Sequence, residues 1–310
     1  MSLCRRSEPT ELLFLVHRFP FRSMGSPVLQ SRRRFCVRAA VWGLVMGVLV
    51  LTVGCTQGED RLFVRREADR TGVDFANTIV ADDSLMNPVD FPNVYNGGGV
   101  AAGDLNGDGR TDLYFAGNTV GNRLYFNEGD LQFRDVTETA GVAAPGVWST
   151  GVTLVDINQD GRMDIYVSVG GPAQKTAEYA NRLYVNQGAG SDGIPTFEEK
   201  AEEYGIADPG ASTHAAFFDY DRDGDLDLYV LNARGGGQHE GDTSASRDRL
   251  YRNDGGRFTE VSAEVGIRGE GGGLGLAVGD VNDDGWPGVY VANDGDSRDR
   301  FYLNQQDGSC

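Results

Sequence analysis

The 310-residue chain has few residues of the types that enzymes use most often for nucleophilic and acid–base chemistry. It holds three histidines and four cysteines. Three cysteines (Cys4, Cys36 and Cys55) lie in the first 55 residues and Cys310 is the last residue, so a disulfide framework and a cysteine metal site are both excluded. We find neither a GxSxG nucleophile motif nor a phosphate-binding loop. The sequence therefore predicts no catalytic residue and a protein that is not an enzyme.

Basic residues are scarce after residue 54. The chain has 28 Lys and Arg against 46 Asp and Glu, a net charge of −18 at pH 7. Residues 1–54 hold eight Arg and two Glu, which leaves 20 basic and 44 acidic residues for the remainder. Such an acidic surface repels phosphate backbones, so we expect no nucleic-acid partner. It attracts cations, although acidity alone also serves solubility.

A long apolar run occurs once, over the 15 residues Ala39–Val53. It is shorter than the ~20 residues that a spanning helix needs and it follows basic residues, which is typical of an export signal. Gly54-Cys55 at its end resembles a bacterial lipobox, although Thr52 stands where Leu is usual. We therefore predict that residues 1–55 are an export signal of the lipoprotein type, with Cys55 lipidated. An ordinary signal peptide and an uncleaved anchor remain the alternatives.

The export route and the start of translation stay open. Ser31–Phe35, which reads SRRRF, resembles a twin-arginine signal, so both Sec and Tat export fit. The segment before Met24 is long for a basic leader, so Met1 and Met24 are both candidate starts. In either case we expect an exported protein. It would be a bacterial outer-membrane lipoprotein, or lie in the periplasm or at the cell surface, and touch the membrane through its lipid anchor only.

The 44 glycines follow no collagen period, and the chain after residue 96 repeats itself. The motif DLNGDGRTD at Asp104 recurs as DINQDGRMD at Asp156, DYDRDGDLD at Asp219 and DVNDDGWPG at Asp280, at intervals of 52, 63 and 61 residues. A small-residue strand pattern precedes each motif and an apolar strand pattern follows it. Further on come NRLYFN, NRLYVN, DRLYRN and DRFYLN. In the first three repeats a Phe then follows that reaches Gly-Val or Gly-Ile eight residues later.

Each repeat thus reads as four short strands, which is the unit of a β-propeller blade. We predict an all-β fold, a β-propeller of four-stranded blades with four repeats, preceded by the signal segment. The expected divisions are the connecting segment 56–96 and the blade region 97–310, with blades at about 97–142, 143–206, 207–267 and 268–310.

The connecting segment contains FVRREADRTGV from Phe63, which resembles the Phe-to-Gly-Val element of the repeats. We therefore expect an outer strand near residues 62–75 that has no blade of its own. It could complete the last blade and close a four-bladed ring. Alternatively, the four repeats are part of a larger propeller, which is the interpretation we favour.

The acidic loops carry Asp or Asn at positions 1, 3 and 5, counted from the first Asp, and Gly at position 6. Position 9 is Asp in the first three loops. Alternating oxygen ligands around a glycine turn form the kind of cage that Ca²⁺ prefers, whereas Mg²⁺ demands stricter octahedral geometry. An EF-hand needs Glu at position 12, where this chain has Phe115, Val167, Val230 and Val291. We therefore predict calcium loops that lead directly into strands.

With these motifs the chain resembles the FG-GAP/VCBS repeats of integrin-α-like propellers, and more closely the bacterial ASPIC/UnbV (cartilage acidic protein-like) family, without the ASPIC/UnbV domain itself. The resemblance implies Ca²⁺ in the loop between the first two strands of a blade, at about three strong sites and a doubtful fourth. The implied ligands of the first three loops, which include the carbonyls of Arg110, Arg162 and Asp225, are Asp104, Asn106, Asp108, Arg110 and Asp112; Asp156, Asn158, Asp160, Arg162 and Asp164; and Asp219, Asp221, Asp223, Asp225 and Asp227.

The fourth loop departs from this pattern, because Gly288 replaces the last carboxylate and Pro287 precedes it. Asp280, Asn282 and Asp284 are therefore expected to form a weaker or empty site. The family resemblance implies a calcium-stabilised protein for extracellular or cell-surface interaction or adhesion, with an extracellular protein or glycan as partner.

Two other functional interpretations stay open: a propeller enzyme acting on polysaccharide or lipid, and a scaffold subunit of a surface complex. The insertions near residues 170–180 and 232–247 connect the second and third strands of their repeats. Because strand directions alternate in a meander, we expect these insertions opposite the metal loops, where a partner could bind.

Overall fold

The computed structural model describes residues 62–79, 92–171, 180–233, 246–269, 271–295 and 297–306. The chain divides into two compact units, 1–64 and 65–310, and only residues 62–64 of the first are described. The fold set out below is that of the second unit. The predicted export signal with Cys55 lies outside the described residues, as do the middles of both insertions.

In the part of the chain that the structure describes, fifteen strands form four antiparallel sheets, each built from consecutive strands. Blade 1 contains β1 (Val100–Gly103), β2 (Asp112–Phe115), β3 (Arg123–Gly129) and β4 (Gln132–Asp135). Blade 2 contains β5 (Ser149–Val155), β6 (Asp164–Val169), β7 (Arg182–Ala189) and β8 (Pro195–Glu199). Blade 3 contains β9 (Ser212–Phe218), β10 (Asp227–Asn232), β11 (Arg249–Asn253) and β12 (Phe258–Glu260). Blade 4 contains β13 (Gly272–Gly279), β14 (Gly288–Asp294) and β15 (Arg300–Tyr302).

Within the described ranges, three one-turn helices accompany the strands: α1 (Ala68–Thr71), α2 (Thr137–Ala140) and α3 (Ala201–Tyr204). Each ends at a glycine with left-handed backbone, Gly72, Gly141 or Gly205, whose N–H bonds back to the first residue of the helix. Glycine is favoured at this capping position because it has no side chain to clash. These turns are the repeated Gly-Val and Gly-Ile elements of the sequence. A 3-10 turn spans Pro92–Tyr95.

The apolar cores lie between successive blades. One cluster joins residues of blades 1 and 2, a second joins blades 2 and 3, and a third joins blades 3 and 4. The first strands of successive blades also approach closely, so that a Cβ on Gly151 would lie 2.6 Å from the carbonyl oxygen of Thr213. Exposing these facing sides to water would lose the free energy gained by burying their apolar side chains. This is why the blades stack.

The architecture confirms the predicted all-β propeller fold. Each sheet falls within one predicted repeat. Blade 4 has three strands among the described residues. One detail differs from expectation, because residues 62–67 form no strand. The predicted outer strand near 62–75 is therefore not observed there; the segment instead holds α1, capped by Gly72.

Candidate metal centres

Every acidic loop connects the first two strands of its blade. Antiparallel pairing closes the loops at Gly103–Asp112, Val155–Asp164, Phe218–Asp227 and Gly279–Gly288. The residue before position 1 therefore faces position 9 across the ladder in all four blades. This register fixes both ends of each loop on rigid strands and lets the alternating polar side chains between them converge.

The position-1 aspartate organises its own loop. Asp104 accepts hydrogen bonds from the N–H groups of Gly107 (2.7 Å), Asp108 (3.2 Å) and Gly109 (2.8 Å). Asp156, Asp219 and Asp280 likewise accept from the N–H groups at positions 5 and 6. The turn is thus built in the same way in all four loops, including the fourth.

The turn also needs left-handed backbone at two positions. The position-6 glycines Gly109, Gly161, Gly224 and Gly285 have φ between 81° and 97°. Position 4 is left-handed too, although it is glycine only in the first loop: Gln159, Arg222 and Asp283 have φ of 56°, 62° and 59°. The sequence pattern indicated the first of these positions and not the second, because no residue type repeats at position 4.

The position-9 aspartates Asp112, Asp164 and Asp227 are fully buried and have a role that the sequence did not indicate. In blade 2, Asp164 accepts hydrogen bonds from the N–H of Ile157 in the loop (3.0 Å) and of Asn186 on β7 (2.7 Å). Asp112 and Asp227 make the equivalent pairs of bonds. Each carboxylate therefore fastens its loop to the third strand of its blade.

Burial makes these carboxyl groups weaker acids than usual. Removal from water raises the pKa of Asp112, of Asp164 to about 6 and of Asp227 to about 7. The backbone N–H donors act in the opposite direction, and neighbouring loop aspartates add to the increase. A nearby divalent cation would stabilise the charged form of each group.

Sequence reasoning also missed the asparagine that ends the NRLYFN-type signature. Asn127, Asn186 and Asn253 each donate a side-chain hydrogen bond to the carbonyl at position 8 of their own loop, over 3.1, 3.2 and 3.1 Å. Asn186 also reaches the carbonyl of Leu105 in the preceding blade, at 3.0 Å. The recurrence of this Asn in every repeat was the available signal, although its contacts were visible only in three dimensions.

The third loop fits a hard cation best. Single carboxylate oxygens of Asp219, Asp221 and Asp227 all lie within 4.8 Å of one another. Asp221 Oδ1 is buried and has no hydrogen-bond partner within the structure. Burial and the neighbouring Asp223 raise the pKa of Asp221. A buried, unpartnered carboxylate oxygen beside two other carboxylates is energetically unfavourable unless a cation or a water molecule satisfies it. The three converging carboxylates offer the hard oxygen ligands that Ca²⁺ prefers, so this donor set fits Ca²⁺.

The first two loops have the same plan with less concentrated charge. Position 3 is an amide, and Asn106 donates to Asp108 over 3.2 Å as Asn158 does to Asp160 over 2.9 Å. An arginine at position 7 pairs with the position-5 aspartate, Arg110 with Asp108 at 2.8 Å and Arg162 with Asp160. In both loops the guanidinium group supplies positive charge beside the predicted site.

At position 7, the backbone N–H groups of Arg110, Arg162 and Asp225 donate to the position-5 aspartates over 2.8, 3.0 and 2.9 Å. Metal coordination by their carbonyls remains a prediction.

The fourth loop keeps the turn and lacks the fastening. Gly288 offers no carboxylate at position 9. Asp280 still accepts hydrogen bonds from two backbone N–H groups. Asp284 accepts hydrogen bonds from the side-chain amides of Asn282 (2.8 Å) and Gln306 (3.1 Å). The guanidinium of Arg222 lies 5.2 Å from the ring centre of Trp286, a cation–π contact between the third and fourth loops.

A second feature lies at the opposite end of the first strands. A cavity of about 220 Å³ is lined by residues of all four blades, including Gly98, Trp148, Thr150, Thr213 and Leu274. These residues lie at or near the starts of the first strands, whereas the acidic loops follow the ends of those strands. Gly171 and Ala233, which also line it, lie at the beginnings of the two insertions and are the last residues described there before residues 172–179 and 234–245.

Among the described residues, the helices are too short to cross a membrane. His214 is half-buried on β9, and burial lowers its pKa.

Comparison with known proteins matches these repeats. The family profile described as FG-GAP-like repeat matches residues 104–167, which span the first two acidic loops. Cartilage acidic protein 1 is 27% identical to the chain over 188 residues in Homo sapiens and 28% over 188 residues in Mus musculus. These alignments cover 60% of this chain and 26% of each relative, so the chain spans about a quarter of their length. The resemblance stated from the motifs is confirmed.

Proposed function

Taking the chain as an FG-GAP repeat β-propeller, we propose that it is an exported calcium-binding protein that mediates interaction or adhesion outside the cell. In this proposal calcium is structural: it binds three blade loops and holds the propeller in its folded form. The observation that carries the calcium part is the third loop, where Asp221 Oδ1 is buried without a partner beside Asp219 and Asp227.

Calcium would supply the charge that these loops lack. Three converging carboxylates repel one another, and a divalent cation turns that repulsion into coordination. The ligands we propose are Asp219, Asp221, Asp223 and Asp227 with the carbonyl of Asp225, and the equivalent residues of the first and second loops. The fourth loop, without a position-9 carboxylate, would bind weakly or not at all.

Terbium luminescence tests the metal sites directly. Tb³⁺ takes calcium-type oxygen ligands, and Tyr220 at position 2 of the third loop is close enough along the chain to sensitise it. We expect terbium emission that calcium displaces, reduced in Asp221→Ala and unchanged in Asp254→Ala, an exposed aspartate outside the loops. Equal emission from both variants would contradict the third site.

The interaction role rests on the propeller fold, on similarity to cartilage acidic protein 1 and on the cavity of about 220 Å³ opposite the metal loops. Concave sites lined by apolar and a few polar groups are usual places for ligands. We propose that an extracellular protein or glycan binds on this side.

A glycan array and immobilised extracellular proteins, probed with the calcium-loaded full chain, would identify the partner. We expect Leu274→Arg, in the cavity, to reduce the binding signal, and Leu131→Arg, on an exposed turn of blade 1, to leave it unchanged. Deleting residues 235–245 should abolish partner binding while calcium binding persists. Partner binding that survives both changes would reject the proposed face.

Export and lipidation through Cys55 form the remaining part of the proposal. Cells fed an azide-bearing fatty acid should label the wild-type chain and the matched control Cys36→Ser, and not Cys55→Ser. Labelling of Cys55→Ser would rule out the proposed anchor, and would do so without affecting the calcium proposal.

A further inference from the structure

The first acidic loop holds an Asn-Gly pair, Asn106-Gly107, at positions 3 and 4. In such a pair the backbone nitrogen of the glycine can attack the side-chain amide of the asparagine, because glycine has no side chain to hinder the approach. The second and fourth loops also have asparagine at position 3, but there Gln159 and Asp283 follow it. Among the four acidic loops, the reactive pair is therefore peculiar to the first.

The nitrogen of Gly107 already faces a proton acceptor. Its N–H donates to Asp104 Oδ1 over 2.7 Å, which is within the reach that a general base needs. Among the described residues this bond is formed in the first loop alone. The position-1 residues of the other loops accept from positions 5 and 6 and not from position 4; they are Asp156, Asp219 and Asp280. Asp104 is thus placed to take the proton as the nitrogen attacks.

The side-chain amide of Asn106 is held at both of its polar atoms. Its Oδ1 accepts from the N–H of Asp108 over 3.0 Å, and its Nδ2 donates to the carboxylate of Asp108 over 3.2 Å. The N–H donor stabilises the negative charge that grows on Oδ1 when the carbonyl is attacked. The guanidinium of Arg110, at 2.8 Å, fixes the carboxylate of Asp108 in turn. The loop therefore polarises the amide beside its nucleophile.

Room and water are available at this position. Gly107 is exposed, and a Cβ built on it would meet no heavy atom within 4 Å apart from its chain neighbours. Asn106 and Gly107 also line a cavity of about 250 Å³, which Arg162 and Met163 of the second loop line as well. A ring closed between Asn106 and Gly107 therefore meets no packed core, and solvent can reach it.

We propose that Asn106 is a site of spontaneous deamidation, assisted by Asp104. The nitrogen of Gly107 bonds to Cγ of Asn106 while Asp104 takes its proton. The proton passes through solvent to Nδ2, the Cγ–Nδ2 bond breaks, and ammonia leaves behind a cyclic succinimide. Water then opens the ring. Hydrolysis at Cγ gives aspartate, and hydrolysis at the main-chain carbonyl gives isoaspartate.

The two products change the first loop in opposite ways. Aspartate at position 3 gives the loop the carboxylate pattern of the third loop, where Asp221 holds that position. Isoaspartate adds a methylene to the main chain and displaces Asp104 from the N–H groups that it accepts. This consequence for metal binding rests on the proposed calcium function. On that premise one product adds a ligand charge and the other breaks the loop.

Calcium bound in the first loop slows the reaction, on the same premise. Asp104 and Asn106 are both proposed ligands, and a carboxylate beside a cation is a weaker proton acceptor. The modification therefore accumulates in chains that have lost calcium.

Peptide mapping by mass spectrometry, on the full chain aged at neutral pH in EDTA, tests the modification. Asn96-Gly97 is the internal control, because it is the same pair and, among the described residues, Gly97 is hydrogen-bonded through its carbonyl oxygen alone. Asn158, which precedes glutamine, is the second control. We expect Asn106 to convert at least about tenfold faster than either control, since a positioned base accelerates proton transfer.

Two variants test the cause. Gly107→Gln gives the first loop the Asn-Gln pair of the second and should suppress the conversion of Asn106. The loop should keep its fold, because Gln159 has the same left-handed backbone with φ of 56°. Asp104→Asn should reduce the rate at Asn106 to that at Asn96. Conversion of Asn106 no faster than that of Asn96 in the wild type, or undiminished in Asp104→Asn, would overturn the proposal.

The calcium part is tested separately. Asn106→Asp, the variant that reproduces one product, should bind calcium in the first loop about tenfold more tightly than the wild type, by isothermal titration. Peptide maps of chains aged in excess calcium should show slower conversion of Asn106 than in EDTA, and an unchanged rate at Asn96. Equal rates at Asn106 in both conditions would contradict calcium binding in the first loop, while the assisted deamidation itself would stand.

Discussion

Blade 4 and the first three blades have nearly the same sequence pattern and different surroundings. Tyr290 repeats Tyr166 in type and position, yet Tyr166 is buried between two blades and Tyr290 faces solvent. Gly288 and Asp164 differ in type, and only the aspartate fastens its loop to the third strand. The comparison teaches that burial in a repeat protein depends on the neighbouring repeat, whereas loop fastening depends on a residue within the repeat.

Removing calcium is expected to have the largest effect, and it acts on the first three blades. A ligand at about 100 times its Kd stabilises the folded state by about 2.7 kcal/mol per site, so three sites give about 8 kcal/mol. For a domain of this size we expect EDTA to lower the Tm by about 15 °C or more. Calorimetry in calcium, in EDTA and in EDTA with excess magnesium measures this, and an unchanged Tm in EDTA would contradict a structural role.

The buried position-9 aspartate is present in blade 2 and absent from blade 4. We expect it to stabilise the fold even without metal. Asp164→Ala leaves the N–H groups of Ile157 and Asn186 buried without their acceptor, at a cost of about 1–3 kcal/mol each. We expect the free energy of unfolding in EDTA to fall by about 2–5 kcal/mol in urea titrations. Glu138→Ala, an exposed acid on α2, is the control and should change it by less than about 0.5 kcal/mol. A small effect of Asp164→Ala in EDTA would mean that the residue acts through metal alone.

The third and fourth loops should differ in how much the removal of one carboxylate weakens calcium binding. Asp221→Asn removes a carboxylate from the cluster of three and should weaken calcium binding about tenfold, which corresponds to about 1.4 kcal/mol. In EDTA the same variant should be as stable as the wild type or more so, because repulsion among carboxylates decreases. Asp284→Asn in the fourth loop should leave the tight calcium sites unchanged. Isothermal titration of both variants makes the comparison, and equal losses would remove the distinction between the loops.

The tyrosine pair gives the closest match in sequence between the two regions. Tyr166→Phe removes a buried hydroxyl that donates to Ile206 and accepts from Asn181, so we expect a loss of about 1–2 kcal/mol. Tyr290→Phe removes a hydroxyl bonded to the exposed Asp299 and should cost less than about 0.5 kcal/mol. Urea titrations of the two variants measure both losses. Similar losses would show that the hydroxyl of Tyr290 is as well shielded from water as that of Tyr166.

Much of the fold could be predicted from the sequence because the same pattern of strands and loops recurs in four repeats. The alternation of small-residue strand, acidic loop and aromatic strand recurs at similar spacing, and a blade is the structure that places such strands side by side. The position-6 glycines were predictable because glycine stands at this turn position in all four loops, and glycine adopts left-handed backbone without strain. The outer strand near 62–75 was expected from its likeness to the repeats, and α1 formed without it.

The remaining details depend on contacts between distant residues. The bonds of Asp164 to Asn186 join positions 22 residues apart, and Asn186 reaches Leu105 from 81 residues away. A sequence pattern shows that such residues recur and does not show which atoms they meet. The exposure of Tyr290 was equally hidden, because Tyr stands at this position in all four repeats and only the arrangement of blades determines whether a neighbour covers it.

Calcium stoichiometry tests the central claim most directly. Flow dialysis with radioactive calcium on the full chain should show three tight sites per chain, reduced to two in Asp221→Ala, and a much weaker fourth. No tight site, or four equivalent sites, would contradict the account that the first three loops bind calcium and that Gly288 disables the fourth.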